Sequence, residues 1–235
     1  MIRMLDSNET GGVDEVALVE GIFKDGGSLM KVLDFENRPE QSEMADAVVE
    51  ALQNEGHLLF EAGTGVGKSL AYLIPSIIHA KKNNRPCVVA TNTINLQEQL
   101  LEKDIPAVRQ VFESDEKYHP FADFKCALLV GRANYLCSTR LHRALTGQAE
   151  FLDGGQRKEL ERIAEWVNDG AVEGIRQEMS PPPSAVVWDQ VNADSSLCSN
   201  KRCHPDHCCY RRARARVEGA NLVIVNHSLL FSLLG

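Results

Sequence analysis

The chain has 235 residues, 43% of them apolar, enough for one large domain or for one domain carrying a smaller insertion. No stretch approaches the ~18 consecutive apolar residues that would span a bilayer. The opening Met1-Ile2-Arg3-Met4-Leu5-Asp6 has no apolar run and no small-residue cleavage site, so a soluble, cytoplasmic chain without a membrane partner is expected. The formal net charge of −8 excludes a protein that is basic over its whole surface.

The charge is unevenly placed. Residues 1–60 hold four Arg/Lys and thirteen Asp/Glu, whereas residues 201–216 hold six Arg/Lys and one Asp. A local basic stretch can hold a phosphate backbone on an otherwise acidic chain, although a solvated helix face has the same composition. The seven cysteines read as ligands or buried thiols rather than disulfides in a cytoplasmic chain.

In chain order, residues 1–36 give mixed signals, with Gly11-Gly12 and Gly26-Gly27 breaking any long helix. Residues 41–53 have helical periodicity, with Met44, Ala45, Val48, Val49 and Leu52 on one face. Leu58-Leu59-Phe60 predicts a short buried strand, 63–67 a loop, and 69–81 a helix. Cys87-Val88-Val89-Ala90 predicts a second buried strand, with Cys87 in the core. Residues 95–111 predict one helix, with Asn95 and Glu98 at capping-box spacing. A third strand, 127–130, follows Cys126, also read as core. Residues 132–217 have no comparable apolar strand but contain a polar helix (157–168) and the Pro181-Pro182-Pro183 break. The strand rhythm returns at Leu222-Val223-Ile224-Val225. A parallel sheet with helices on both faces, opened by an insertion of roughly 85 residues, is therefore expected.

Residues 58–69 place Ala62-Gly63-Thr64-Gly65-Val66-Gly67-Lys68-Ser69 between a strand and a helix. This is the setting of a phosphate-binding loop. Its glycines let backbone N–H groups turn inward around phosphate oxygens, and the following helix adds its positive end. Lys68 can reach the β- and γ-phosphates of ATP, and the Ser69 hydroxyl can ligate Mg²⁺; these two are the candidate catalytic residues. Ala62 stands where the general pattern has Gly, as in many helicases. Upstream, Arg38-Pro39-Glu40-Gln41 resembles the adenine-reading element of superfamily 2 helicases, which makes Arg38 and Gln41 candidate nucleotide contacts.

Further residues make the resemblance narrower. Thr91 ends a strand before the helix with Gln97-Glu98-Gln99-Leu100, similar to the helicase element that touches the DNA backbone. Gly131-Arg132-Ala133-Asn134-Tyr135-Leu136-Cys137, then spaced cysteines, an Arg-rich helix and Val225-Asn226-His227-Ser228-Leu229-Leu230 resemble, in that order, the DinG/XPD family of iron–sulfur DNA helicases. The resemblance covers roughly residues 35–235. It implies a P-loop (RecA-like) motor domain over 37–131 and 218–235, an N-terminal extension over 1–36, and a mostly helical iron–sulfur domain over 132–217.

The same resemblance carries the family's four [4Fe–4S] ligands onto Cys137, Cys198, Cys203 and Cys209. Cys208 is an extra thiol beside the fourth. Zinc is the rival occupant, because Cys203 and Cys208 have His204 and His207 nearby. Arg211, Arg212, Arg214 and Arg216 suit a channel for single-stranded or forked DNA. Tyr135 and Tyr210 suit either base stacking or the module's own core, and His227 reads as structural.

Hydrolysis in this family needs an Asp-Glu pair after a buried strand. Asp14-Glu15 and Asp115-Glu116 do not fit that setting. The expectation is therefore an N-terminal fragment of an ATP-dependent DNA helicase of repair or replication. Its 5′→3′ polarity is implied by resemblance, and by itself the fragment is expected to be inactive. The alternative from another class is a non-enzymatic, metal-stapled DNA-binding or redox-sensing module with a residual nucleotide pocket.

Overall fold

A computed structural model describes residues 14–33, 38–148, 152–170, 173–198 and 207–234. The chain divides into two compact units, Met1–Cys87 with Asn95–Phe124, and Val88–Ile94 with Lys125–Gly235. None of the described helices is long and apolar enough to cross a membrane.

The first unit is helical. Helix α1 (Glu15–Phe23) starts at Asp14, whose side chain accepts from the Val16 N–H, and buries Leu18, Val19, Ile22 and Phe23. Gly26, with φ of +65°, separates it from α2 (Ser28–Leu33). That break follows the expectation for Gly26-Gly27, whereas Gly11-Gly12 lies outside the described residues. Helix α3 (Pro39–Gln53) begins on Pro39, whose fixed φ suits a first turn, and buries Gln41, Ala45 and Val49. Helix α4 (Lys68–Asn83) is apolar almost all round, with Leu73, Ile74, Ile77 and Ile78 fully buried. It packs on α3 and α1.

The strand expected at Leu58-Leu59-Phe60 does not form. Residues 56–63 belong to no strand or helix, and Leu59 is 100% exposed. Apolar composition favours a strand only where a neighbouring ladder takes up the backbone groups. This tripeptide has no such ladder among the described residues.

The single helix expected over 95–111 is three pieces. Helix α5 (Ile94–Gln99) runs into a π-helical turn (Leu100–Asp104) and then α6 (Ile105–Glu113). The Ile105 N–H reaches back five residues to the Leu100 carbonyl. Pro106 explains the wide turn, since it has no N–H to give the Glu102 carbonyl. The capping box expected at Asn95 is absent too. The helix already starts at Ile94, so Asn95 stands inside its first turn. Helix α7 (His119–Ala122) closes the unit, with Phe112 packed against Phe121 and Phe124.

The second unit holds the sheet. Strands β1 (Cys87–Thr91), β2 (Cys126–Leu128) and β3 (Leu222–Asn226) lie in the order β1-β3-β2. Strands β2 and β3 pair in parallel, Ala127 opposite Val223. The central β3 buries Leu222, Val223, Ile224 and Val225. The outer β1 is not the buried strand expected, with Val88 52% exposed. Cys87 and Cys126, both read as core, are only half-buried because each lies on an outer strand.

A parallel pair requires a crossover. Here the crossover from β2 to β3 is the helical module: α8 (Ser138–Arg143), α9 (Gly154–Asn168), α10 (Ala185–Val191) and the Arg-rich α11 (Cys209–Glu218), before α12 (His227–Leu234). A capping box does occur, but in α9, where Asp153 and Gln156 exchange hydrogen bonds. The module has an apolar cluster of its own, built on Leu136, Leu160, Ile163, Val187, Trp188 and Val191. A segment without an apolar strand of its own therefore still has a core.

Candidate functional site

The loop between Ala62 and Ser69 is shaped by two left-handed glycines, Gly65 at φ +81° and Gly67 at φ +79°. Other L-residues adopt that conformation only at a cost of about 1–2 kcal/mol. Two side chains from the start of α3 brace it. Arg38 Nη1 donates to the Gly65 carbonyl, and Gln41 Nε2 donates to the Gly67 carbonyl at 2.9 Å. Gln41 is 4% exposed. The two residues singled out as nucleotide contacts are thus already bonded to the loop itself. The Lys68 ammonium curls back onto it, donating to the Ala62 carbonyl at 3.1 Å and the Gly63 carbonyl at 2.5 Å. Gly63, Thr64 and Gly65 remain open to solvent. Open loop backbone, a helix N-terminus and an ammonium group together can bind a polyphosphate.

Ser69 stands on the first turn of α4, with Tyr72 and Asp104 near it. Burial pushes the carboxyl of Asp104 up, while the nearby Ser69 hydroxyl, the Gln99 amide and the charge of Lys103 pull it back. Burial also pushes up the Tyr72 phenol. Neither residue is marked by the local pattern of the loop. Asp104 lies far along the chain from Ser69, and only the packing of the π-helical turn against α4 brings it there.

In the second unit, the segment Tyr135 to Cys137 is stitched to three distant stretches. Tyr135 bridges to Ile175, Leu136 to Asn192, and Cys137 to Cys208. The last bridge joins the beginning of the module to its end, and the Ser138 hydroxyl donates to the His207 carbonyl beside it. Cys137 and Cys198 border one cavity of about 210 Å³, together with Arg140, Arg143 and Asp194. Cys209 is buried on the same apolar cluster that both thiols adjoin, but its sulfur lies against Gly174 and accepts from Arg212 at 3.5 Å. Burial raises this thiol's pKa, and the Arg212 charge opposes the shift. Cys203 lies outside the described residues. Among the described residues no three Cys, His, Asp or Glu side chains converge as metal ligands. Two thiols share a cavity, and a third is buried in the apolar cluster that both adjoin without lining that cavity; in donor chemistry the three thiols suit a thiolate-bound group.

Residues 38–131 match the DEAD/DEAH box helicase family. The chain is 36% identical over 204 residues to the "ATP-dependent helicase DinG" of Mycobacterium tuberculosis, a match covering 81% of this chain and 30% of the relative. It is 34% identical over 216 residues to the "ATP-dependent DNA helicase YoaA" of Haemophilus influenzae, covering 91% of this chain and 32% of the relative. The chain belongs to the DinG-type DEAD/DEAH box helicases. It spans about a third of the length of these relatives.

The helicase elements of this DinG-type chain are unequally exposed. Thr91 is 2% exposed, and its hydroxyl donates to the Thr93 carbonyl, so the strand-ending Thr faces inward. Asn92, Thr93 and Gln99 are exposed. Gln97 is buried, with its amide nitrogen unpaired among the described residues. Tyr135 is fully buried and packs edge-on against Tyr210, at 5.5 Å between ring centres, with Arg132 over the face of Tyr210. For Tyr135 this is the core arrangement rather than a base-stacking one. On α11, Arg216 pairs with Glu173 and Arg212 leans on Cys209, whereas Arg211 and Arg214 make no ion pair among the described residues.

Proposed function

We propose that this chain is the nucleotide-binding part, with an attached cysteine module, of an ATP-dependent DNA helicase, a hydrolase that moves on single-stranded or forked DNA in repair or replication. The observation that carries this reading is the braced loop before α4, with Lys68 held at its mouth. When ATP and Mg²⁺ bind, Lys68 exchanges the Ala62 and Gly63 carbonyls for phosphate oxygens. The N–H groups of Gly63, Thr64, Gly65, Val66 and Gly67 would surround the phosphates, and the Ser69 hydroxyl would be a ligand for the metal. Arg38 and Gln41 keep the loop in shape, and the remaining positions of the Gln41 amide and the Arg38 guanidinium would face the base.

We assign Cys137, Cys198, Cys203 and Cys209 to a [4Fe–4S] cluster. When bound, it supplies a four-thiolate cross-link and a redox-active centre. Arg211 and Arg214 of α11 face the DNA backbone as point charges. The 5′→3′ direction follows from the resemblance to the DinG/XPD family. Neither Asp14-Glu15 nor Asp115-Glu116 stands at the end of a strand among the described residues, and on this reading the chain binds nucleotide without steady turnover.

Titration with a fluorescent ATP analogue tests the nucleotide site. Lys68→Ala should weaken binding at least about tenfold, and unchanged affinity would sink the reading. Oxygen-free purification tests the cysteine assignment. A brown protein with about four iron and four sulfide per chain is expected; a colourless protein with one zinc would replace the assignment with the rival.

A further inference from the structure

An antiparallel bridge sets two residues directly opposite each other, with Cα atoms about 4.5–5.5 Å apart and both side chains on one face. A disulfide needs Cα atoms about 4.4–6.8 Å apart. Cys137 and Cys208 are bridged in this way.

Both backbones are held in place. Cys137 is the extended residue before α8, and Cys208 is the extended residue before α11. The Cys137 N–H donates to the Val191 carbonyl at 2.8 Å, and its carbonyl accepts from the Leu141 N–H at 2.9 Å. The Cys208 carbonyl accepts from the Arg212 N–H at 3.0 Å. Beside the pair, the Ser138 hydroxyl donates to the His207 carbonyl at 3.1 Å. Both thiols are free and half-buried. Cys137 also borders the cavity of about 210 Å³, which has room for a small oxidant.

Cys209 is placed differently. It follows Cys208 in the chain, but its sulfur lies against Gly174 and accepts from Arg212. Cys208 has no place in the ligand set assigned above, so its thiol is spare.

We propose that Cys137 and Cys208 form an oxidative modification site for hydrogen peroxide, closing as a disulfide when Cys137 holds no metal. The Cys137 sulfur attacks one peroxide oxygen and the O–O bond breaks, giving a sulfenic acid and one water. The Cys208 sulfur then attacks the Cys137 sulfur. The S–O bond breaks, and the hydroxyl leaves with the Cys208 proton as a second water. The two thiols lose two electrons and the peroxide gains them. The disulfide withdraws Cys137 from metal ligation until an external dithiol reduces it. The pairing rests on the thiols alone, whereas its effect on metal loading rests on the cysteine assignment above.

The test uses the whole chain, purified without oxygen, stripped of metal with a chelator and treated with hydrogen peroxide. Digestion without reductant and mass spectrometry should recover a peptide pair joining Cys137 to Cys208, lighter by two hydrogens than the free peptides. Two of the seven thiols should disappear from titration and return with dithiothreitol. Cys208→Ser should lose the linked peptide, and Cys126→Ser should keep it. The oxidised chain should take up no cluster from iron and sulfide until it is reduced. A Cys137–Cys198 or Cys208–Cys209 linkage, or no disulfide at all, would overturn the proposal. Full uptake of iron and sulfide by the oxidised chain would overturn its effect on loading. An untreated, oxygen-free protein without iron that still yields the linked peptide would sink the cluster assignment and leave the pair standing.

Discussion

The side-chain amide of Gln41 lies against the backbone of Gly67, donating to its carbonyl at 2.9 Å and filling the space where a Cβ would stand. Helix α3 thus sets the shape of the phosphate-binding loop. Gly67→Ala meets both a left-handed backbone and this amide. It should destabilise the chain by about 1–3 kcal/mol and abolish nucleotide binding. Gln41→Ala should cost about 1 kcal/mol in stability, weaken ATP binding and reduce any preference for ATP over GTP. Urea unfolding and competition titrations with the two nucleotides check both variants. Selectivity unchanged in Gln41→Ala would leave Gln41 as a brace alone.

Tyr135 gives a prediction about alkaline pH. Burial pushes its phenol up to about 12, against a usual value of about 10. Between those values the unfolded chain loses the proton while the folded chain keeps it. Stability from this group is therefore complete below about pH 10 and is lost as pH rises toward 12, by roughly 2–3 kcal/mol. Tyr135→Phe should flatten that alkaline limb in unfolding curves measured from pH 8 upward. A limb unaltered by the substitution would show that another group titrates.

The helical module should unfold as a packed body. Trp188 is 3% exposed, and its indole N–H donates to the Ala133 carbonyl at 2.8 Å. Trp188→Phe leaves that carbonyl without its donor and should cost about 1–3 kcal/mol. Ile163→Ala, at a fully buried position, should cost about 2–5 kcal/mol. Chemical denaturation measures each. Losses below about 0.5 kcal/mol for both would mean the module's cluster is not a core.

The arginines of α11 divide by partner. Arg216 pairs with Glu173, a carboxyl whose pKa burial raises and the Arg216 charge lowers. Arg211 and Arg214 have no such carboxylate among the described residues. Arg211→Ala and Arg214→Ala should each reduce the salt dependence of binding to labelled single-stranded DNA by about 0.7 in log–log slope. Neither should change stability. Arg216→Ala should instead lower stability. Anisotropy titrations at several salt concentrations separate these outcomes, and identical slopes in all variants would remove α11 from the DNA surface.

Much of this was legible in the amino-acid order because it depends on neighbours in the chain. The loop from Ala62 to Ser69 is defined by glycines that must turn and a lysine and serine at fixed offsets. Helices α3, α4, α9 and α11 follow from periodicity and from residues such as Pro39 that start them. The cysteine spacing and its flanking segments carry the family. The chain order does not reveal which apolar run finds a ladder. Leu58-Leu59-Phe60 and Leu222-Val223-Ile224-Val225 read alike, yet only the second is paired and buried, because strand formation depends on residues far away. Cys87 and Cys126 read as core for the same reason and lie on outer strands.

The sequence by itself determined which residues are able to grip a phosphate and the set of thiols, since both rest on residue type and local spacing. Tertiary structure alone decided that Gln41 braces Gly67, that Asp104 comes near Ser69 and that Cys137 lies beside Cys208. Each of those pairs is separated along the chain by at least 26 residues. Short-range patterns fix what a side chain can do. Packing of distant elements fixes what it meets.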